Sequence, residues 1–348
     1  MKKLTILSAV SAIALSMGTT AQAEELAVVG SWSGLPLHKQ FEAPFWNDKL
    51  GEVSGGELSA SLTTHDQMGI SGGDVYRMMS QGVFDVGMTV ADYAVSDSVA
   101  LEALDVPMIA TDADTAKKAV DAARPIVDDI YKDVFNAKVL GIAPYPPQVV
   151  FCNAEINSLD DLQGKKVRAS GRMTAKFLEA LGAEGVNIGF GEVPGALQRG
   201  VVDCAITGAG SGYNAGWWEV STHLLPIPLG GWDPVVTAIN LDKWNTLSDA
   251  QKAALEKGVK ENLEVPAWEV AQNALNNDIA CLTGNGECPY GDARGLVLVE
   301  ATDEDQAKAK AVLISEVLPD WAERAGGDWA QRWSDSVGKV TGVSLEAK

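Results

Sequence analysis

Histidine is scarce in this 348-residue chain, which holds three: His38, His65 and His223. None are spaced His-x-x-x-His, so a helix-borne zinc site of the metalloprotease kind is excluded. Positive charge is also short, with 27 Lys and Arg against 47 Asp and Glu and a formal net charge of −20. A chain this acidic repels phosphate backbones and offers no basic stripe, which excludes nucleic acid as a partner. Beyond the N-terminal segment there is no apolar run long enough to cross a bilayer. Low-complexity stretches and repeats of 20–50 residues are absent as well. Gly (35) and Pro (14) are not extreme, and 46% of residues are hydrophobic, so intrinsic disorder is not expected. The length suits about two domains.

The first residues read as an export signal. Lys2 and Lys3 precede an apolar run from Leu4 to Met17, and Ala21-Gln22-Ala23 supplies an A-x-A cleavage site. The run is short for a membrane anchor, which needs ~20 apolar residues, and no lipid-accepting cysteine follows it. Cleavage after Ala23 is therefore expected to release a soluble exported protein. Export makes the four cysteines, Cys152, Cys204, Cys281 and Cys288, candidates for disulfides. Three pairings are possible. Cys281 and Cys288 flank a turn-rich Leu-Thr-Gly-Asn-Gly-Glu loop that closes easily. Cys152 and Cys204 both lie in extended apolar runs, so 281–288 and 152–204 are the expected pairs. A Cys/His zinc site needs two short-spaced ligand pairs, which these spacings do not supply; no metal and no cofactor is expected.

Strand and helix patterns alternate from Glu25 onward. Strands are expected at Leu26–Gly30, Leu58–Thr63, Val83–Met88 and Val139–Ile142. Between them come helices at Pro36–Gly51, Gly73–Gln81 and Thr115–Phe135. Pro144-Tyr145-Pro146-Pro147 cannot be helix interior and reads as a stiff crossover. The alternation then resumes: strands at Val149–Asn153, Lys166–Ala169, Val186–Gly189 and Val201–Ile206, with helices at Met173–Leu181 and Val193–Gln198. Val235–Asn240 is a further strand. Ser248–Asn276 is one long helical stretch, interrupted near Pro266. A short strand at Leu296–Glu300 precedes amphipathic helices at Asp303–Ala325 and Trp329–Thr341. This order implies an α/β fold with largely parallel sheets and right-handed crossovers. Two such units joined by a crossover form two lobes around a cleft, with ligand at the carboxyl ends of the strands. The expected division is 24–145 plus 234–275 for the first lobe and 146–233 plus 276–348 for the second. Gly208-Ala209-Gly210-Ser211-Gly212 follows a strand like a dinucleotide loop, but Tyr213 stands where the last glycine belongs, so a flexible turn is expected.

Two segments carry a family resemblance. Gly73–Gly87 (GDVYRMMSQGVFDVG) has a helix, then Gly-x-x-Asp, then a strand. Ile156–Arg168 (INSLDDLQGKKVR) continues through Leu181-Gly182-Ala183 to Glu192–Asp203 (EVPGALQRGVVD). Together these resemble the solute-binding proteins of TRAP transporters, the DctP family, whose pattern there is Leu-Lys-Gly-x-Lys-x-Arg, Leu-Gly-Ala and Glu-Val-x-x-Ala-Leu-x-x-Gly-x-Val-Asp. The resemblance implies a periplasmic protein of two α/β lobes with hinge segments and a long lobe-spanning helix, and a monomer is expected. It would close on a small organic anion or zwitterion and pass it to a membrane permease. It also implies that Arg168 grips a ligand carboxylate, since a guanidinium meets a carboxylate bidentately. Arg172 follows at the start of the next helix.

The chain departs from the family at two polar positions. Gln148 stands where a second arginine is frequent, and Thr207 where an asparagine often touches ligand. In their place are aromatics: Tyr213, Trp217, Trp218 and Trp232 follow the strand ending at Thr207, and Trp32 follows the first strand. Tryptophan faces hold cations or aliphatic surface, so a ligand with an anionic end and an apolar or quaternary-cation end is expected if these line the cleft. The alternative is that several of them pack the lobes. Two other classes of function are weighed: a secreted hydrolase with an unsignalled carboxylate pair, and a ligand-sensing lobe of a receptor.

Overall fold

A computed structural model of the chain describes residues 23–343 and 345. The expected export signal, residues 1–23 with its cleavage site, lies almost wholly outside the described residues. The described strands are β1 (Glu24–Gly30), β2 (Leu58–Thr64), β3 (Val86–Val90), β4 (Ala137–Ala143), β5 (Gln148–Cys152) and β6 (Lys166–Ala169). They continue with β7 (Glu184–Asn187), β8 (Cys204–Gly208), β9 (His223–Leu225), β10 (Val235–Asn240) and β11 (Val297–Leu298). They form two sheets, ordered β2-β1-β3-β10-β4 and β11-β9-β5-β8-β6-β7. Helices cover both, which makes the molecule an α/β protein of two halves.

The sheets are mixed, not largely parallel as the alternation predicted. β1 runs parallel to β2 and β3, and β6 parallel to β7 and β8. β10 runs antiparallel to β3 and β4, and β5 antiparallel to β8 and β9. The reason is the path of the chain. β4 leaves the first sheet through residues 144–147 and the chain enters the second as β5; β9 leaves the second and the chain re-enters the first as β10. A strand that brings the chain in from the other half runs opposite to its neighbours, and strand alternation within one half does not encode that.

The two crossings are tied to each other. Tyr145 N donates to Trp232 O at 3.0 Å, and Gln148 N to Gly231 O at 2.8 Å. The buried Asp105 carboxylate accepts from Trp232 N (2.6 Å), Asp233 N (2.8 Å) and Gln148 Nε2 (3.0 Å). Gly231 has φ +82, and a Cβ there would fall 2.2 Å from Asp105 Oδ1, so glycine is needed on both counts.

Local signals explain the helices. Asp112 accepts from Thr115 N (2.8 Å) to start Ala113–Phe135, and Asn136 ends it in the left-handed region. Ser248 with Gln251 forms a capping box at Asp249–Val259. From there the helix runs on through Val265–Thr283. The expected interruption near Pro266 takes the form of a π turn at Lys260–Glu264 just before the proline, whose missing N–H makes a wider turn the natural accommodation. The Gly208–Gly212 segment is not a loose turn either, since Ala209–Asn214 is helical. Gly210 and Gly212 lie there against Asp278 and Phe151, at distances that leave no room for a side chain.

The disulfides are the expected two. Cys152 and Cys204 face each other across β5 and β8 with Cα atoms 4.0 Å apart, and Cys281 and Cys288 close the loop after the long helix at 4.5 Å. Three apolar cores hold the elements. One lies between the first sheet and the helices around Trp46 and Val259. Another, around Phe151 and Trp217, lies on one face of the second sheet. The largest joins the remaining faces of both sheets through Ala113–Phe135 and the C-terminal helices.

Candidate ligand-binding site

A cleft of about 830 Å³ opens between the two sheets, and the strand ends build it. Trp32 follows β1, His65 follows β2, and Asp92 and Tyr93 follow β3. Arg168 lies on β6, with Ser170, Gly171 and Arg172 just beyond it, and Ile188 and Phe190 follow β7. All of these are carboxyl ends of mutually parallel strands, where backbone N–H groups and loop side chains converge.

Arg168 is 2% exposed. Its Nε donates to Ile188 O at 2.8 Å and its Nη1 to Ile206 O at 2.6 Å, which fixes the plane of the guanidinium. The ring of Trp217 lies 5.9 Å from its central carbon. Burial lowers the Arg168 pKa, and the fields of Tyr93, Asp233 and Asp92 oppose that; a guanidinium nonetheless keeps its charge. No ion pair forms on Arg168 among the described residues. The side chain is thus a dry, oriented cation held by neutral carbonyls, which is chemically suited to an incoming anion.

Acids stand around it. Asp92 is buried and its carboxyl is pushed up to about 8, by burial first and then by Glu102 and Asp233. Its Oδ1 has no hydrogen-bond partner among the described residues. A Cβ on Gly171 would fall 1.4 Å from Asp92 Oδ2, so a side chain at 171 and the present Asp92 position are incompatible. Asp233, held at φ 42 in the second crossing, is raised to about 7 by burial. Asp66 differs: it accepts from Ser33 N (3.1 Å) and Ser33 Oγ (2.6 Å) and is held below the usual carboxylate range, its own burial opposing that. Burial also lowers the pKa of His65, favouring the neutral ring.

The aromatic wall runs across both halves. Trp32 meets His65 edge-on at 4.6 Å and Phe190 at 5.2 Å, and Phe190 stacks on Trp217 at 5.4 Å.

Of the residues singled out in the sequence, Arg168, Arg172 and Trp32 line this cleft. Trp217 is wholly buried behind Arg168 and Phe190. Gln148 is buried at the crossings on Asp105, and also donates to Gly230 O. Thr207 is buried within β8, opposite Val149. Trp232 is buried and donates to Ala110 O at 2.9 Å. Tyr213 lines a different groove of about 250 Å³, together with Tyr145, Asp278 and Tyr290. Trp218 and Tyr213 pack under Arg294, at 4.3 and 5.1 Å. His38 pairs with the buried Glu42 at 2.9 Å.

Sequence reasoning missed Asp92, Tyr93, His65 and Phe190. The available signal was position: each directly follows a strand whose end faces the other half. It also overlooked that Gly69-Ile70-Ser71-Gly72-Gly73 spells Gly-x-Ser-x-Gly. Ser71 caps a short 3-10 turn, Gly72–Asp74, accepting from Gly73 N at 3.3 Å. It is not at a strand-to-helix elbow, and among the described residues no histidine hydrogen-bonds to it. Among the described residues no group of three or more His, Cys, Asp or Glu side chains is placed to hold a metal.

The family model of bacterial extracellular solute-binding protein, family 7 (DctP), matches residues 33–313. The chain belongs to this family. Its members are solute receptors, not enzymes, and act outside the cytoplasm. A curated relative, a solute-binding protein of Sulfitobacter sp. strain NAS-14.1, is 24% identical over 183 residues. That match spans 51% of this chain and 55% of the relative, so the chain aligns with about half the relative's length. An extracytoplasmic solute receptor of Bordetella pertussis that binds pyroglutamic acid shares the fold with a TM-score of 0.78 and 19% identity, over 91% of this chain and 100% of that one. A TRAP solute-binding protein of Sulfurospirillum deleyianum with bound succinate gives 0.74 and 21%, over 93% and 100%. At these identities the likeness establishes the fold, that of two-lobed TRAP receptors.

Proposed function

We propose that this protein captures a small organic anion in the cleft and delivers it to a TRAP-type membrane permease. It is exported by the signal at residues 1–23 and acts in the periplasm as a monomer, binding its solute without turning it over. The observation that carries this reading is Arg168. A buried guanidinium, oriented by two carbonyls and joined to no carboxylate among the described residues, is costly to keep dry and suited to one ligand class. The solutes named for the structural neighbours, pyroglutamate and succinate, are small carboxylates and support the same class.

In this reading residues 24–145 plus 234–275 and 146–233 plus 276–348 move as two lobes. They hinge at the crossings near 144–148 and 232–236, and solute bridging the lobes favours closure. Arg172 and Trp32 contact the solute at the mouth. Gln148, Thr207, Trp217 and Trp232 shape the hinge and the floor behind it.

A thermal-shift screen tests this with mono- and dicarboxylates, pyroglutamate, sugar acids, sulfonates and betaines. A bound solute raises the melting temperature. The expected result is a hit among the acids that Arg168→Ala weakens about a hundredfold or more, since removing one partner of a buried charge pair costs ~3–5 kcal/mol. Near-wild-type affinity in Arg168→Ala refutes the assignment. A response confined to betaines refutes the anion class.

A further inference from the structure

We propose that the solute carries an N–H donor beside its carboxylate, the carboxylate meeting Arg168 and the N–H meeting Asp92. This rests on the reading above and narrows it to small amino acids and cyclic amide acids.

Asp92 and Arg168 line one cavity and are 6% and 2% exposed. Among the described residues they do not bond to each other. Arg168 is instead held by Ile188 O and Ile206 O, and Asp92 Oδ1 has no partner among the described residues. A buried carboxyl oxygen without a donor is destabilising, and native proteins seldom keep one unless something satisfies it. Asp66, on the same cavity, shows the ordinary solution: two hydrogen bonds from Ser33. Asp92 has no such neighbour. Gly171 presses on its Oδ2 side, where any side chain would displace it.

A solute that offers only carboxylate would satisfy Arg168 and leave Asp92 Oδ1 without a donor. A solute that offers carboxylate and N–H together satisfies both groups at once. Discrimination follows from the same geometry, because an analogue lacking the N–H leaves a buried acceptor unpaired.

The test uses matched pairs that differ only at that atom: the lactam acid of the screen against its lactone, and proline against tetrahydrofuran-2-carboxylate. The expected result by calorimetry is at least tenfold tighter binding of the N–H member of one pair. That ratio should fall to about twofold or less in Asp92→Leu. Asp92→Asn keeps an acceptor oxygen and should preserve the ratio for the lactam pair but not for the ammonium pair, which identifies the donor. Circular dichroism of each variant checks folding, and Asp92→Ala serves if Asp92→Leu does not fold. Equal affinity within both pairs overturns the inference and leaves the Arg168 reading standing. So does a preference that survives Asp92→Leu. If a folded wild type binds none of the four acids, the inference is overturned; the separate Arg168 screen then tells whether the anion reading falls with it.

Discussion

Two buried aspartates, Asp92 and Asp278, have the same defect in opposite settings. Each has an oxygen without a hydrogen-bond partner among the described residues, and each is held high by burial, Asp92 to about 8 and Asp278 to about 7. Each is also pressed by a glycine of the other sheet's half or of a neighbouring helix, Gly171 on Asp92 and Gly210 on Asp278. The difference is what else faces the space. Asp92 shares its cleft with the Arg168 cation; Asp278 lines a groove with Tyr145, Tyr213 and Tyr290, and no cation among the described residues pairs with it. Burial alone therefore does not mark a binding group; the proposal for Asp92 rests on its sharing a cleft with an oriented cation.

The largest expected effect breaks the comparison on the Asp278 side. Its folded pKa is raised from 3.8 to about 7. The unfolded chain releases this proton near pH 4, whereas the folded chain holds it until about 7. Stability from this group is therefore lost as pH rises from 4 to 7 and stays low above that. Asp278→Asn removes the titration. The variant should melt with the wild type at pH 4 and above it at pH 8, by up to about 4 kcal/mol. Paired melts across that range decide it; parallel wild-type and variant curves would show that Asp278 is ionised and satisfied in the folded protein.

A smaller effect separates the two glycines. Gly171→Ala places a Cβ 1.4 Å from Asp92 Oδ2 and should weaken solute binding at least tenfold, about 1.4 kcal/mol. Gly210→Ala places one 2.7 Å from Asp278 Oδ2 and should lower the melting temperature while leaving solute affinity within about twofold. Affinity loss in Gly210→Ala would couple the groove to the cleft and end the distinction between them.

Much of this was legible in the chain and some was not, for physical reasons. Strand ends are local, so Arg168 at the end of β6 was visible. Both cysteine pairs followed from extended runs and a short turn. Strand direction was not visible, because β5 and β10 owe theirs to crossings between the halves. The aromatics were ambiguous for a related reason. Trp217 and Trp232 look alike in sequence to a cleft wall, yet both are buried, one behind Phe190 and the other bonded to Ala110 O. Asp92 was missed because its significance lies in Arg168 and Gly171, distant in sequence, and one acid in so acidic a chain draws no attention. The helix at Ala209–Asn214 shows tertiary packing overriding glycine's low helix propensity: both glycines there, Gly210 and Gly212, are needed for close approach.

The smallest expected effect concerns the aromatic bridge. Trp32 follows β1 in one half and Phe190 follows β7 in the other, and their rings lie 5.2 Å apart at 55°. Such a pair contributes about 0.5–1.5 kcal/mol beyond the area it covers. Because the rings belong to different halves, that contribution exists only when the halves meet, and so it adds to solute affinity. Trp32→Ala should raise the Kd roughly three- to tenfold, with Trp32→Phe recovering part of the loss. Trp32 also packs edge-on against His65 within its own half, at 4.6 Å. A purely local role there would lower the melting temperature of the solute-free protein and leave the Kd unchanged. Calorimetry and melting on the same two variants therefore separate a ring that joins the halves from one that only packs its own.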